Sequence, residues 1–233
     1  MRAAPNRRRF ALALIFATGC ALRLHALDRQ PLWLDEASSW SFAQHSFSAT
    51  LYSESIHPPL DRILLWCWVR IIPTDSEAWL RLLPALWGCF TVAAWMWLWS
   101  ELETWDGTKN AGSWIAAATV AFSPFLIAYS QELRMYALLG LWSVLGVALL
   151  LRWLRTGQRW AGVGALIVGI LALYTHYFAA LSWVGALVML WGLRRGKGFG
   201  EGDVGGALPH TPAGRFAPAP RPKGAALMES RWG

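Results

Sequence analysis

The chain has 233 residues, of which 55% are hydrophobic and only 15% charged, with a mean hydropathy of +0.34. Soluble domains carry about 25% charged residues, so these figures argue against a water-soluble globule, and for residues 1–193 against a disordered or collagen-like chain. Seventeen tryptophans point to a membrane, where the indole ring settles at the acyl boundary with its N–H in water.

The net charge of +7 is split between 14 Lys+Arg against 11 Asp+Glu in residues 1–193 and 7 against 3 in residues 194–233. There is no RNP-like run or basic helix, so nucleic acid is not an expected partner.

In chain order, Arg7, Arg8 and Arg9 precede an apolar run from Phe10 to about Leu27, as at the start of a secretory signal. Arg8-Arg9-Phe10 is close to a twin-arginine pattern, and Ala17-Thr18-Gly19-Cys20 to a lipoprotein cleavage box. Several more apolar runs follow, so a retained membrane helix over 10–27 is expected. Further runs near the ~17–25 residues needed for a crossing occur at 79–99, 112–128, 136–153, 160–175 and 177–193. The last two read as a hairpin turning at Tyr174-Thr175-His176-Tyr177, because one straight helix across both would be about 50 Å long. Residues 60–72 are apolar but short and carry Asp61, Arg62 and Arg70, which suits a helix lying on the membrane surface. Cys20, Cys67 and Cys89 are singly spaced and read as small hydrophobes.

The expected fold is therefore all-α: a polytopic membrane bundle of about six transmembrane helices, with a long first outer loop (28–78) carrying surface helices. Segments 1–9, 100–110, 152–160 and 194–197 hold 11 Lys+Arg in 33 positions, against 5 in 66 for segments 28–81, 129–136 and 174–177. The positive-inside rule then sets both termini in the cytoplasm of a multi-pass protein of the cell membrane. From Gly196 the chain turns rich in Gly, Pro and Ala, and 194–233 is expected to be a disordered basic tail.

This topology gathers Asp35, Glu36, His57, Glu132, Arg134 and His176 on one outer face. Trp33, Leu34 and Trp40 hem the acidic pair, so a functional, desolvated carboxylate is one reading, and a helix cap with a first-turn acid is the other. His57 is either a site residue or the extended residue that Pro58 demands. Glu132 and Arg134 form either a site or a local charge pair, and His176 is a ligand-binding residue or a polar turn tip. Arg81 reads first as the anchor of the second span.

Five motifs recur here in a fixed order. They are Trp33-Leu34-Asp35-Glu36, His57-Pro58-Pro59-Leu60, Arg81-Leu82-Leu83-Pro84-Ala85-Leu86, Ser130-Gln131-Glu132-Leu133-Arg134-Met135-Tyr136 and Tyr174-Thr175-His176-Tyr177, with Ser123-Pro124 between the third and fourth. In these motifs residues 30–193 resemble the N-terminal module of the GT-C membrane glycosyltransferases, on the side of dolichyl-phosphate-mannose–protein mannosyltransferase and aminoarabinose transferase. The resemblance implies an inverting enzyme that moves a sugar from a polyprenyl-phosphate donor to a lipid, glycan or protein acceptor. It implies Asp35 as catalytic base with Glu36 beside it, and Glu132 as a second acid that supports the acceptor or a divalent metal. His57 and Arg134 would hold the donor phosphate, with Arg81 and His176 as additional site residues. Relatives usually continue with further helices, whereas the apolar sequence here stops near Leu193, so a truncated copy is expected. Two other classes stay open: a lipid or sugar transporter or flippase, and a non-catalytic membrane partner that keeps the fold.

Overall fold

The computed structural model describes the backbone of residues 5–52, 57–72, 75–107 and 112–201, and every regular element among them is helical. The elements are α1 (Pro5–Leu24), α2 (Leu34–Gln44), α3 (Phe47–Tyr52), α4 (Leu60–Ile71), α5 (Glu77–Asp106), α6 (Gly112–Phe122), α7 (Pro124–Ser130), α8 (Tyr136–Thr156), α9 (Arg159–Thr175) and α10 (Ala179–Glu201). Residues Met1–Trp191 form one compact unit. The second unit, Gly192–Gly233, contributes the last turns of α10 among the described residues. Helix thus runs beyond the expected start of the tail at 194, while the expectation of disorder at 202–233 lies outside the described residues.

Among the described residues two helices are long and apolar enough to cross a bilayer, α5 over Glu77–Trp105 and α8 over Tyr136–Thr156. Helix α9 and the Ala179–Gly192 part of α10 are apolar but shorter. The turn expected at 174–177 is present, with His176 closing α9 in an extended conformation. Helix α4 has 12 residues, about 18 Å of length, well short of a ~30 Å hydrocarbon core.

The continuous span expected over 112–128 is instead two helices. Pro124 has no N–H to give to the Val120 carbonyl, so the α6 ladder ends there, and Ser123 caps α7 by accepting from the Leu126 N–H (3.4 Å). The carbonyls freed at this break are taken by a side chain from α1. Arg23, 1% exposed, donates through Nη1 to the Ala121 carbonyl (2.8 Å) and through Nη2 to Val120 (3.0 Å). The favour is returned across the same contact. Gln131 Nε2, just beyond α7, donates to the carbonyls of His25 (2.9 Å) and Leu22 (3.1 Å) at the end of α1. Each helix end supplies the cap that the other lacks.

Packing follows the apolar faces. Helix α5 runs along α8, α8 along α9, and α1 against α5 and α6. Ala161, Ala165, Val168 and Leu149 form one core with Trp97, Trp142 and Trp183 around it. The Trp183 indole of α10 seats over Gly146 and Gly169, where a Cβ would come within about 3 Å of the ring. At one end of the unit, buried Glu101 on α5 accepts from Arg152 Nη1 (2.7 Å), from Arg155 and from Trp97 Nε1 (3.0 Å), and Arg8 of α1 pairs with Glu103 (2.6 Å). At the other end α2 and α4 pack over the start of α5 around Ala43, Leu65, Leu80, Leu83 and Leu133, and α3 packs against α2 and α4. Arg70 of α4 donates to the Ala43 and His45 carbonyls (both 2.8 Å), closing the C-terminus of α2.

Gly88 on α5 is where α7 approaches most closely: a Cβ there would lie 2.4 Å from Ser130 Cβ and 3.0 Å from Arg23 Cδ. Gly88→Ala is expected to destabilise the protein by about 1–3 kcal/mol. Adding Ser130→Gly should recover part of that loss. Melting of the single and double variants in detergent checks this.

Candidate functional site

Glu36 organises the end of the unit where α2 and α4 meet the start of α5. It sits in the first turn of α2, where its carboxylate reaches back to the Trp33 N–H (3.2 Å) as in a capping box. The same carboxylate accepts from Arg81 Nε (3.0 Å) and Nη2 (2.6 Å) and from the Leu133 N–H (2.7 Å). Arg81 uses its other donors on the carbonyls of Leu27 (2.9 Å), Gln30 (2.6 Å) and Pro31 (3.2 Å). Burial by itself would raise the Glu36 pKa. The hydrogen bond from Arg81, the Leu133 N–H, the Arg81 charge and the Trp33 N–H outweigh it and hold the carboxyl below its ordinary value.

The acidic pair therefore divides. Glu36 is 0% exposed and every one of its hydrogen bonds is internal, which suits support and not contact with a substrate. Asp35, one residue earlier, has a side chain 46% exposed and faces Arg134, its Oδ2 lying 3.5 Å from Nη2. Arg81 likewise belongs to the support beneath the site and anchors more than the start of α5.

The Arg81–Glu36 pair fixes the segment that carries the next two residues, because Leu133 lies between Glu132 and Arg134. Glu132 is half-buried, and desolvation and the Glu36 charge raise its pKa against the pull of Arg134 and Arg81. Arg134 turns the other way. Its side chain is 14% exposed, with Asp35 and Ser39 Oγ as partners at 3.5 Å and a buried Nε without a hydrogen bond.

Arg134 helps to line a cavity of about 60 Å³ together with Ser38, Ser39, His57, Asp61 and Arg62. His57 and His176 face each other at its edge with ring centroids 5.0 Å apart, and the His176 Nδ1 accepts the Phe178 N–H (3.0 Å). Both imidazoles have lowered pKa values. For His57 the causes are desolvation, then His176, Arg134 and Arg62, opposed by Asp35; for His176 they are desolvation and Arg134. Arg62 also donates to the backbone carbonyl of His57 (3.2 Å) and so holds the loop before α4.

Of the residues expected from sequence, the structure brings Asp35, His57, Arg134 and His176 to one cavity and its rim. Glu36 and Arg81 lie beneath it, and Glu132 lies on the side of that buried pair. Sequence reasoning missed Asp61, Arg62, Ser38 and Ser39 as lining residues. By sequence Asp61 and Arg62 belong to the short helix read as lying on the membrane surface. Their position directly after His57-Pro58-Pro59 was the available signal.

Arg81 and Arg134 both act on Glu132, the residue to which the resemblance gives a possible divalent metal. What the arrangement offers is a confined cationic group, a half-exposed carboxylate and two neutral imidazoles within one polar recess. Comparisons with family models, with curated proteins and with solved structures give no match to this chain.

Glu36→Gln should lower stability by about 3–5 kcal/mol, since it leaves the Arg81 guanidinium buried without its counter-charge. The contribution of a carboxylate held below its ordinary value is complete above that value, about 4.5, and is lost as pH falls through the folded-state pKa. Acid unfolding of wild type beside Glu36→Gln measures both: the difference in melting temperature should be largest near pH 7 and shrink below pH ~4.

Proposed function

We propose that this chain is a multi-pass membrane glycosyltransferase that moves a sugar from a polyprenyl-phosphate donor to an acceptor at the outer face of the cell membrane. In this reading α1, α5, the α6–α7 pair, α8, α9 and α10 make six crossings, and both termini are cytoplasmic. The charge pattern supports it: Arg8, Arg152 and Arg155 cluster at the Glu101 end of α5 and α8, and the Asp35–Arg134 recess lies at the opposite end of the same helices.

One observation carries the chemistry. Arg134 is a largely buried guanidinium whose side-chain partners, Asp35 and Ser39, are no nearer than 3.5 Å, and it lines a recess shared with His57. A phosphate oxygen entering there gains a charge-assisted hydrogen bond that Asp35 does not fully supply. The acceptor hydroxyl attacks the anomeric carbon, the bond to the donor phosphate oxygen breaks, and the configuration inverts. Asp35 takes the acceptor proton, while Arg134 offsets the charge on the departing polyprenyl phosphate and the neutral His57 imidazole donates a hydrogen bond to it. Glu36 and Arg81 position Asp35 and Arg134 from below.

A transporter would use ionisable groups inside the spans. Arg23 is the buried cation of α1, and its Nη groups donate to carbonyls at helix ends, which favours a capping role over a substrate path.

Transfer from a labelled polyprenyl-phosphate sugar in proteoliposomes tests the reading. Asp35→Asn should lower turnover by roughly 10²–10⁴ with little change in melting. Retention of full transfer by Asp35→Asn would remove it as the base. Topology is open to cysteine labelling in a background without native cysteines. Reagent added from outside should reach Ser46→Cys and Tyr177→Cys but not Thr156→Cys, and labelling of the last would overturn the six-span arrangement.

A further inference from the structure

Asp61 is the lining residue for which the mechanism above has no use. It lies in the first turn of α4, half-buried, in a recess whose other charged walls are Arg62 of the same helix and Arg134 from the segment before α8. His57 from the preceding loop completes the wall, His176 of the α9–α10 turn stacks on His57, and Asp35 of α2 faces Arg134 from above. The recess therefore holds two guanidiniums and already contains one carboxylate, with a second at its mouth. An entering phosphate must share the guanidinium charge with these resident anions.

We propose that Asp61 is a charge selector: a resident carboxylate that lets the recess accept a phosphate bearing one negative charge and disfavours phosphates bearing more. The selector rests on the phosphate reading given above and goes beyond it in naming the phosphate class. A sugar phosphodiester carries one negative charge, a phosphomonoester close to two at neutral pH, and a diphosphate about three. The Asp61 and Asp35 carboxylates already match the two guanidiniums, so a phosphodiester adds one unmatched negative charge, a monoester close to two and a diphosphate about three. Each further negative charge is repelled by Asp61 at close range in a partly desolvated space, where such repulsion is not fully screened.

The selector also explains how the leaving group could depart. Transfer converts a singly charged diester into a more highly charged monoester within the same recess, and Asp61 then opposes its retention. Burial pushes the Asp61 carboxyl up to about 6 even though Arg134 and Arg62 pull it down. Its charge is therefore full at pH 7.5 and mostly gone at pH 5, so discrimination should be strong at the higher pH and weak at the lower. The imidazoles gain protons over the same interval, and a comparison of wild type with variant at each pH separates their effect from that of Asp61.

The test uses the full chain in detergent with three soluble probes of equal tail: citronellyl methyl phosphate, citronellyl phosphate and citronellyl diphosphate. At pH 7.5, Asp61→Asn should tighten binding by about 3-fold, 10-fold and 30-fold respectively, one half-decade for each ligand charge. At pH 5 wild type and variant should agree within about twofold for all three. Asp61→Ser, smaller and also uncharged, provides the same readout if melting shows that the amide disturbs the fold. An equal gain for the three ligands, no gain, or a gain that persists undiminished at pH 5 overturns the selector and leaves the phosphate reading standing. If no probe binds either protein at either pH, the phosphate reading falls and the selector falls with it.

Discussion

Everything at the α2–α4 end of the Met1–Trp191 unit hangs on one buried ion pair. Glu36 and Arg81 are 45 residues apart, and between them they use both carboxylate oxygens and all three guanidinium nitrogens on internal partners. Such a pair contributes little stability by itself, because desolvating two charges offsets most of their attraction. Its value is geometric. It ties the chain after α1, the start of α2, the first turns of α5 and the backbone at Leu133 to a single point. Asp35 and Arg134 are each one residue from an atom held at that point, so their separation is set by the pair and not by flexible loops.

Sequence reasoning went some way toward this arrangement. The apolar runs, the short helix at 60–72 and the turn at 174–177 follow from length and polarity alone, and each corresponds to a helix or turn in the structure except 112–128, which is two helices. What the pattern could not give was the division of labour within Asp35-Glu36. Both acids fit a helix start equally well, and only the arrival of Arg81 from a distant helix decides which of them is buried. The two readings weighed for the pair, cap and functional carboxylate, fall on different residues: Glu36 has the cap geometry and Asp35 faces the recess.

The break between α6 and α7 was visible and underused. Ser123-Pro124 is an N-cap followed by a proline at the first helical position, a local signal that a helix begins there. Apolarity alone does not register it, since both halves are equally hydrophobic. Asp61 was legible as a residue but not as a lining one. On a helical wheel it falls on the side of α4 that carries Leu65 and Trp68, opposite Arg70, and nothing local indicates that Arg134 meets that side.

The reciprocal capping of α1 and α6 also bears on the order in which the protein can be made. Arg23 and the Ala121 carbonyl it serves are 98 residues apart. At a synthesis rate of ~5–20 residues per second, the arginine emerges roughly 5–20 s before its acceptor. During that interval a cation near the end of an apolar helix has only its surroundings or its own helix carbonyls, such as that of Gly19, as partners. Arrival of α6 and α7 then draws the guanidinium inward, and only at that step does Gln131 reach the end of α1. The first helix to be made thus acquires its final end only once α6 and α7 are in place, which makes this contact a checkpoint midway through assembly of the fold.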